Sequence, residues 1–115
     1  MGRFVIRKTA TGYAFDLRAA NGEVIAQSEV YTAKAACLKG IQGVIHCATI
    51  APIGEQEPLP HNPRFELFRD RAGAYRFRLR SRNGKVIATS QAYGSRSACL
   101  NGIESVRVNT AAEVE

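Results

Sequence analysis

The chain carries one phrase twice: residues 21–31 read NGEVIAQSEVY, and residues 83–93 read NGKVIATSQAY. Residues 13–44 align without a gap on residues 75–106, and 17 of the 32 positions are identical. Such an internal duplication constrains the fold, because both copies must form the same local structure. A chain of 115 residues is about one domain long, so we expect the two copies to share one core.

Each copy begins with three short runs in which apolar and polar residues alternate. The first copy reads FVIRK, YAFDLRA and EVIAQS, and the second reads FELFR, YRFRLRS and KVIATS. Alternation over this length is typical of strands with one buried face. An Asn-Gly pair separates the last two runs and favours a two-residue type I′ turn. With that turn, Arg82 would lie directly opposite Lys85.

A helical pattern follows the third run in each copy, TAKAACLKGIQGVI in the first and SRSACLNGIESVRV in the second. Thr32 and Ser95 are predicted N-caps, because their hydroxyl groups can accept a free backbone N–H. Gly40 and Gly102 lie on the apolar stripe, where glycine costs roughly 0.5–1 kcal/mol relative to alanine. We therefore expect another backbone to pack closely there, and each unit is predicted as β-β-β-α.

The predicted fold class is α+β, with two tandem β-β-β-α repeats packed face to face about a pseudo-twofold axis into one compact domain. One unit is too small to enclose a core of its own. The first repeat spans residues 1–48 and the second spans residues 64–110. Residues 49–63 form a connector that contains all four prolines and is expected to be extended. Residues 111–115 are predicted to be a tail.

The ordered motifs resemble those of a known family. In both copies the order is Y-x-F-x-L-[KR], then NG-x-[VI]-I-A-x-S-x-x-Y, then a helix with a Gly-Ile pair. This resembles the YegP-like family, a domain of unknown function, in its tandem-repeat form. The resemblance covers nearly the whole chain and implies an α+β fold made of both units. The first strand of each unit pairs either within its own unit or, by exchange, with the other unit. It implies no established activity and no catalytic residues.

Bulk properties narrow the class of protein. The sequence lacks both a run of apolar residues long enough to span a bilayer and a signal peptide, so we expect a cytoplasmic protein without a membrane partner. Three distant cysteines give no disulfide framework and are predicted to be free thiols. The net charge of +6 raises the expectation of nucleic acid or another polyanion as partner, although basic proteins often bind neither.

The most suggestive feature for binding is a row of arginines in the second copy: Arg76, Arg78, Arg80 and Arg82. A period of two places all four on one face of the sheet, where they could follow a phosphate backbone together with Lys85. The alternative is that these side chains only solvate an exposed strand. Tyr75 and Phe77 alternate onto the other face and are predicted to be core.

Catalysis has no support in the sequence. None of the familiar nucleophile, zinc or phosphate-loop motifs occurs, and Cys37 and Cys99 fall on the buried stripe of each helix. His46, Cys47 and His61 match no metal-ligand spacing, so we predict neither a metal nor a cofactor.

The sequence thus predicts a small non-catalytic binding or interaction module, expected to be a monomer, with a dimer as the alternative. A structural or stress-associated protein-interaction role without nucleic acid is the second hypothesis, and an enzyme is the third.

Overall fold

The computed structural model describes residues 2–110 and 113–114. In chain order the elements are β1 (Arg3–Lys8), β2 (Tyr13–Arg18), β3 (Val24–Gln27), α1 (Lys34–Ala48), β4 (Ile53–Gly54), β5 (Arg64–Arg69), β6 (Tyr75–Arg80), β7 (Val86–Thr89), α2 (Arg96–Val108) and β8 (Glu113–Val114). The predicted α+β class is confirmed. Within the described residues, neither helix is both long and apolar enough to cross a membrane.

All eight strands belong to one sheet, in the order β4-β5-β6-β7-β3-β2-β1-β8. In each copy the three longer strands pair antiparallel with their neighbours in sequence. The copies meet where β3 pairs with β7, with Gln27 opposite Thr89, and these two residues occupy equivalent positions in the alignment. The halves are therefore joined edge to edge within one sheet, and the expectation that they pack face to face is wrong.

A short strand follows each helix and crosses to the other half. β4 pairs parallel with β5, and β8 pairs parallel with β1. The first strands stay with their own copy, since β1 pairs with β2 and β5 pairs with β6. The predicted unit omitted this strand, and β4 lies inside the segment predicted to be a simple connector. Of the predicted tail, only β8 belongs to the described residues.

Both helices cover the same face of the sheet and connect the two halves. α1 contacts β2 of its own copy and β5, β6 and β7 of the second, whereas α2 contacts β6 and β3. The alternating apolar side chains of the strands face these helices. The largest fully buried side chains are Phe4, Phe15, Leu17, Phe65, Phe77 and Leu79 on the strands, and Ile41 and Ile103 on the helices. The three cysteines are free thiols, as predicted, and all three are buried, whereas burial was predicted only for Cys37 and Cys99. The two copies thus share one core.

The helix glycines accommodate a tyrosine side chain and not another backbone. A methyl group at Gly40 would overlap the hydroxyl and ring of Tyr31, and one at Gly102 would overlap those of Tyr93. Each tyrosine also stacks on the core phenylalanine of its copy, at 6.5 Å between the Phe15 and Tyr31 ring centroids. The close approach was expected, but its partner was predicted wrongly.

The helix caps agree with the prediction in one copy only. Ser95 is the N-cap of α2, and its Oγ accepts the Ala98 N–H at 3.1 Å. In α1 the equivalent N-cap is Ala33, which offers no side-chain acceptor. Thr32 lies one position too early to cap the helix, so that prediction is wrong.

The hairpin turns are longer than the Asn-Gly pair predicts. In the second copy, Ser81 N–H donates to Lys85 C=O and Gly84 N–H donates to Ser81 C=O, both at 2.9 Å. Gly84 has φ +85°, whereas no described residue other than glycine has a positive φ, so Asn83 is not in a type I′ turn. Its Oδ1 instead accepts the Lys85 N–H at 3.1 Å. Arg82 therefore lies inside the loop and not opposite Lys85.

Candidate anion-binding face

The face of the sheet turned away from the helices carries most of the arginines, and we call it the open face. Along β6, Phe77 and Leu79 point to the helices and are fully buried. Because side chains alternate along a strand, Arg76, Arg78 and Arg80 point to the open face. The structure thus brings together three of the five residues predicted for an anion site.

Glu66 is the centre of this arginine group. It lies on β5 directly opposite Arg78, is 5% exposed, and accepts a hydrogen bond from Arg78 Nε at Oε1. Arg80 Nε lies 2.9 Å from the same oxygen, and Arg64 Nε donates to Oε2 at 2.7 Å. One carboxylate is thereby shared among three guanidinium groups, which leaves an excess of two positive charges.

These contacts keep Glu66 ionised at any ordinary pH. Burial by itself raises the pKa of the carboxyl, since it removes water from the charged form. The hydrogen bonds from Arg78, Arg80 and Arg64 outweigh burial and lower the pKa of Glu66 to about 2. The carboxylate is therefore a permanent anion that holds the three arginines in place.

Arg76 has a separate partner near the end of the strand. Its Nε donates to Asp70 Oδ2 at 2.8 Å, and its Nη1 donates to the Ser90 carbonyl at 3.4 Å. The bond from Arg76 lowers the pKa of Asp70. This pair is more exposed than the Glu66 group, so it positions Arg76 without removing it from solvent.

The first copy has an analogous group on the same face. Asp16 on β2 is 2% exposed and forms ion pairs with Arg7 at 3.0 Å and Arg18 at 3.1 Å. Gln27 Nε2 also donates to its Oδ1 at 3.3 Å. The buried carboxylate lies on the second strand of the first copy, as Asp16 on β2, but on the first strand of the second copy, as Glu66 on β5. The open face is therefore basic in both halves, and not only where the row of arginines in the second copy was predicted.

Arg82 and Lys85 lie apart from the open face. Arg82 is exposed in the hairpin loop and lines a pocket with His46 and Cys47 at the end of α1. Lys85 Nζ lies 3.6 Å from Glu29 Oε1 and 5.0 Å from the centroid of the Tyr31 ring. Their displacement follows from the longer turn, which ends β6 at Arg80 and directs both side chains toward the first copy.

Four arginines of the open face were not predicted from the sequence as site residues: Arg3, Arg7, Arg18 and Arg64. The available signal was the register between neighbouring strands, since residues on one face of a paired strand lie beside those of the next. The alternation of FVIRK and RFELFR does place Arg7 and Arg64 on the same side as the β6 row. Asp16 and Glu66 can be identified as the partners of these arginines only when the register between the strands is known.

Phe68 is the aromatic residue that β5 and β6 place on this face, and its ring is in contact with an arginine. The Arg78 guanidinium carbon lies 4.6 Å from the centroid of the Phe68 ring, and Tyr75 and Phe77 point to the helices. The face therefore presents guanidinium groups, and it lacks the bare rings on which nucleobases stack in single-strand binding proteins.

Two cysteines are poor nucleophiles, and the part of the chain that the structure describes contains no metal-binding cluster. Burial raises the pKa of the Cys99 thiol to about 11 and also raises that of Cys37, which suppresses the reactive thiolate. Between residues 2 and 110 and at 113–114, no three His, Cys, Asp or Glu side chains lie close enough together to hold a metal ion.

Comparisons with known proteins place this fold among proteins of unassigned activity. The family described as "Domain of unknown function (DUF1508)" matches residues 9–55 and 70–115. The UPF0339 protein YegP of Yersinia pestis is 37% identical over 95% of this chain and 88% of its own length. A UPF0339 protein of Methanosarcina acetivorans is 54% identical over 46 residues, which are 40% of this chain and 79% of that protein.

Solved structures show the same fold. The solution NMR structure of a UPF0339 protein from Shewanella oneidensis superposes with a TM-score of 0.84 at 31% identity, covering 99% of this chain and 89% of that one. The NMR structure of the protein of unknown function yegP from E. coli gives a TM-score of 0.82, also at 31% identity, covering 99% and 90%.

Proposed function

Since the chain belongs to the DUF1508 family, a domain of unknown function, we propose a role from the chemistry of its own surface. That role is weak, sequence-independent binding of nucleic acid or another polyanion across the open face, by a non-catalytic module of two duplicated units related by a pseudo-twofold axis. The observation that carries the proposal is the shared carboxylate, because Glu66 neutralises only one of the three arginines around it.

The charge of the whole open face supports binding of an extended anion. Six guanidinium groups on this face, those of Arg7, Arg18, Arg64, Arg76, Arg78 and Arg80, meet three carboxylates, those of Asp16, Glu66 and Asp70. Among these groups positive charges exceed negative charges by three, and they lie on both halves of a continuous sheet; Arg3, opposite Arg18, faces the same side. Release of counterions from a polyanion lying along such a surface favours binding whatever the sequence of the polymer.

The way the arginines are held also suits phosphate binding. A guanidinium group has five N–H donors, and Arg78 reaches Glu66 through Nε, so donors remain at its tip. Because buried carboxylates and strand backbones fix these side chains beforehand, less rotamer entropy is lost when they bind. Arginine matches phosphate oxygens better than lysine through its planar fork of donors.

The test compares two variants with the same loss of charge. Arg76→Gln with Arg78→Gln removes two cations from the open face, while Glu66 keeps Arg64 and Arg80 as partners. Lys39→Gln with Arg82→Gln removes two exposed cations on the helix side. Labelled single-stranded and duplex DNA would be titrated between about 50 and 200 mM salt.

We expect the open-face variant to bind all sequences more weakly and to reduce the slope of log K against log salt by about two. The helix-side variant should keep the original slope. If both variants lose affinity equally, net charge and not the open face is responsible. If the unmodified protein shows no saturable binding at low salt, the open face is a solvated surface, and the structural or stress-associated protein-interaction role replaces this proposal.

A further inference from the structure

We propose that the uncovered edge of β1, with the groove beside it, docks an extended acidic segment of a partner protein, which adds to the sheet as a further strand. The edge groove is lined by Ile6, Lys8, Tyr13, Lys34, Leu38 and Val114. It lies at the end of the sheet opposite β4 and is separate from the arginines that bind Glu66.

The end of β1 has backbone groups free to pair. β8 covers only the first two residues of the strand, with Arg3 opposite Glu113 and Phe4 opposite Val114. Beyond Phe4, the described residues provide no strand on this side of β1. A sheet edge of this kind is a template for another chain.

The direction of the backbone bonds identifies which groups point outward. Tyr13 exchanges hydrogen bonds with Tyr31 on the β3 side at 2.7 Å. The backbone groups of successive residues in an antiparallel strand point alternately to one side and the other. The N–H and C=O groups of the next residue, Ala14, therefore point to β1, where Ala14 lies opposite Arg7. The N–H and C=O groups of Ile6 and Lys8 therefore point to the free edge, and an added strand would bond to these two residues.

The groove provides an apolar floor beside that edge. Leu38 of α1 is 41% exposed and Val114 of β8 is 44% exposed, while Ile6 and Tyr13 are only partly buried. An extended segment presents every second side chain to the same side. One apolar side chain of the segment can therefore bury itself against Leu38 and Ile6.

The charge of the groove selects an acidic occupant. Lys8 and Lys34 both line the groove, and neither makes an ion pair or side-chain hydrogen bond within residues 2–110 and 113–114. A carboxylate beside the apolar anchor would pair with these ammonium groups in a partly desolvated setting, where such contacts contribute more than on an open surface.

The second copy already contains this kind of interaction. Arg96 occupies the position of Lys34, and its guanidinium holds Glu55 in a forked contact, 2.7 Å from Nη2 and 2.9 Å from Nε. Glu55 directly follows β4, which adds parallel to the equivalent edge strand β5. β8 adds to β1 in the same way, but Lys34, the equivalent of Arg96, has no carboxylate partner among the described residues.

The probe is a short labelled peptide in which valine and glutamate stand two residues apart, with threonine between them, so that both face the groove. It is titrated into the whole protein and followed by NMR. We expect saturable shifts at Ile6, Lys8 and Leu38, and slower hydrogen exchange at the Ile6 and Lys8 amides. Exchange at Arg7 should not change, because its amide already bonds within the sheet. The same peptide with lysine in place of glutamate should not bind.

Charge reversal on α1 supplies the matched comparison. Lys34→Glu should weaken binding of the valine-glutamate peptide about fivefold. Lys39→Glu makes an equal change of charge on the same helix, but Lys39 lines a different pocket, with Gly43 and Ile87, so affinity should stay within about twofold. The proposal is overturned if the two variants weaken binding equally, if the shifts appear at the β5 edge instead, or if the peptide does not bind at all.

Discussion

Arginines face each other directly across neighbouring strands in both copies, Arg3 opposite Arg18 and Arg64 opposite Arg80. Like charges in this arrangement destabilise a sheet by several tenths of a kcal/mol. In the second copy the carboxylate of Glu66 lies between the opposed pair and bonds to both. Glu66 thus reduces the repulsion between arginines that lie opposite each other, although the open face keeps an excess of positive charge.

Glu66 makes a specific prediction for the pH dependence of stability. Burial raises its pKa, but the bonds from three arginines lower it to about 2, against about 4.3 in an unfolded chain. A depressed pKa means that the carboxylate stabilises the fold fully above about pH 4.5, and that this contribution is lost as the pH falls toward 2. We expect the loss to be on the order of 2 kcal/mol.

Urea unfolding of the unmodified protein and of Glu66→Gln at several pH values measures this contribution. The glutamine variant should be less stable at pH 6, and the gap in the free energy of unfolding should narrow toward pH 2. An equal gap at both ends of the range would show that the side chain acts by packing and not by charge.

Strand alternation alone predicts which side of β6 carries the arginines, because the period of two is visible in YRFRLR. The pairing of those arginines with Glu66 was not predictable in the same way. It depends on the register between β5 and β6, which is set by the length and shape of the intervening turn. The site was therefore predicted as a row of cations, and its acidic centre was missed.

At the scale of elements, the hairpin loops show how a strong local signal can give the wrong geometry. Asn-Gly favours a type I′ turn when both residues take positive φ. Here the Asn side chain binds the backbone two residues on, at 3.0 Å from Asn21 Oδ1 to Glu23 N and 3.1 Å in the second copy. Only the glycine then needs a left-handed conformation, and the loop gains a residue.

The left-handed glycine predicts the effect of substitution in the loop. Gly22 has φ +86° and open space around it, so Gly22→Ala should destabilise through backbone strain alone, by about 1 kcal/mol. Gly94 also has open space but no positive φ, and Gly94→Ala should change stability by less than about 0.5 kcal/mol. Chemical denaturation of both variants tests this, and equal effects would contradict it.

The helix glycines predict a different kind of cost. Gly102→Ala would drive a methyl group into the Tyr93 ring and hydroxyl, and overpacking of this kind destabilises by about 1–3 kcal/mol. Gly43 offers the control in the other helix, since its methyl group would lie 3.4 Å from Ile87 Cδ1, an ordinary contact. Gly43→Ala should therefore stabilise by up to about 1 kcal/mol through helix propensity.

Thermal and urea unfolding of the two helix variants would separate these effects. Loss of stability in Gly102→Ala without a similar loss in Gly43→Ala would support the tyrosine contact. A gain of stability in Gly102→Ala would mean that Tyr93 moves aside at little cost, and the contact would then not explain why the position is glycine.

The short strands β4 and β8 are the elements that could not be predicted from the sequence. Each has two residues, too few for any period to be recognised. They are strands only because β5 and β1 present an edge to them, so their existence depends on contacts between residues far apart in the chain. The three longer strands and the helix of each copy carry their own periodic pattern and were predictable.

At the scale of the whole molecule, the contacts between the copies show a consistent charge pattern. Gln91 Nε2 donates to Glu23 Oε1 at 3.0 Å, and Lys85 lies 3.6 Å from Glu29. Residues 23 and 85 are equivalent in the alignment, as are 29 and 91, so these two contacts occupy corresponding places on either side of the β3–β7 junction. Each joins one copy to the other with a favourable pair.

This pattern predicts how the halves behave when the chain is divided. Neither fragment, residues 1–57 or 58–115, should unfold cooperatively as a monomer, since each helix packs against strands of the other half. Two first halves would bring Glu23 against Glu29, a repulsive contact, whereas two second halves would bring Lys85 against Gln91, which is neutral. The mixed pair restores both favourable contacts, so a 1:1 mixture should be more stable than either fragment alone.

Sedimentation and thermal melting at several concentrations distinguish these states. We expect the mixture to melt at the highest temperature, the second fragment alone to associate weakly, and the first to associate least, with all melting temperatures rising with concentration. Added salt should reduce the disadvantage of the first fragment, because it screens the repulsion between glutamates. A cooperative transition that does not depend on concentration, in either fragment, would show that one copy forms a core by itself. It would contradict the prediction that each copy needs the other in order to fold.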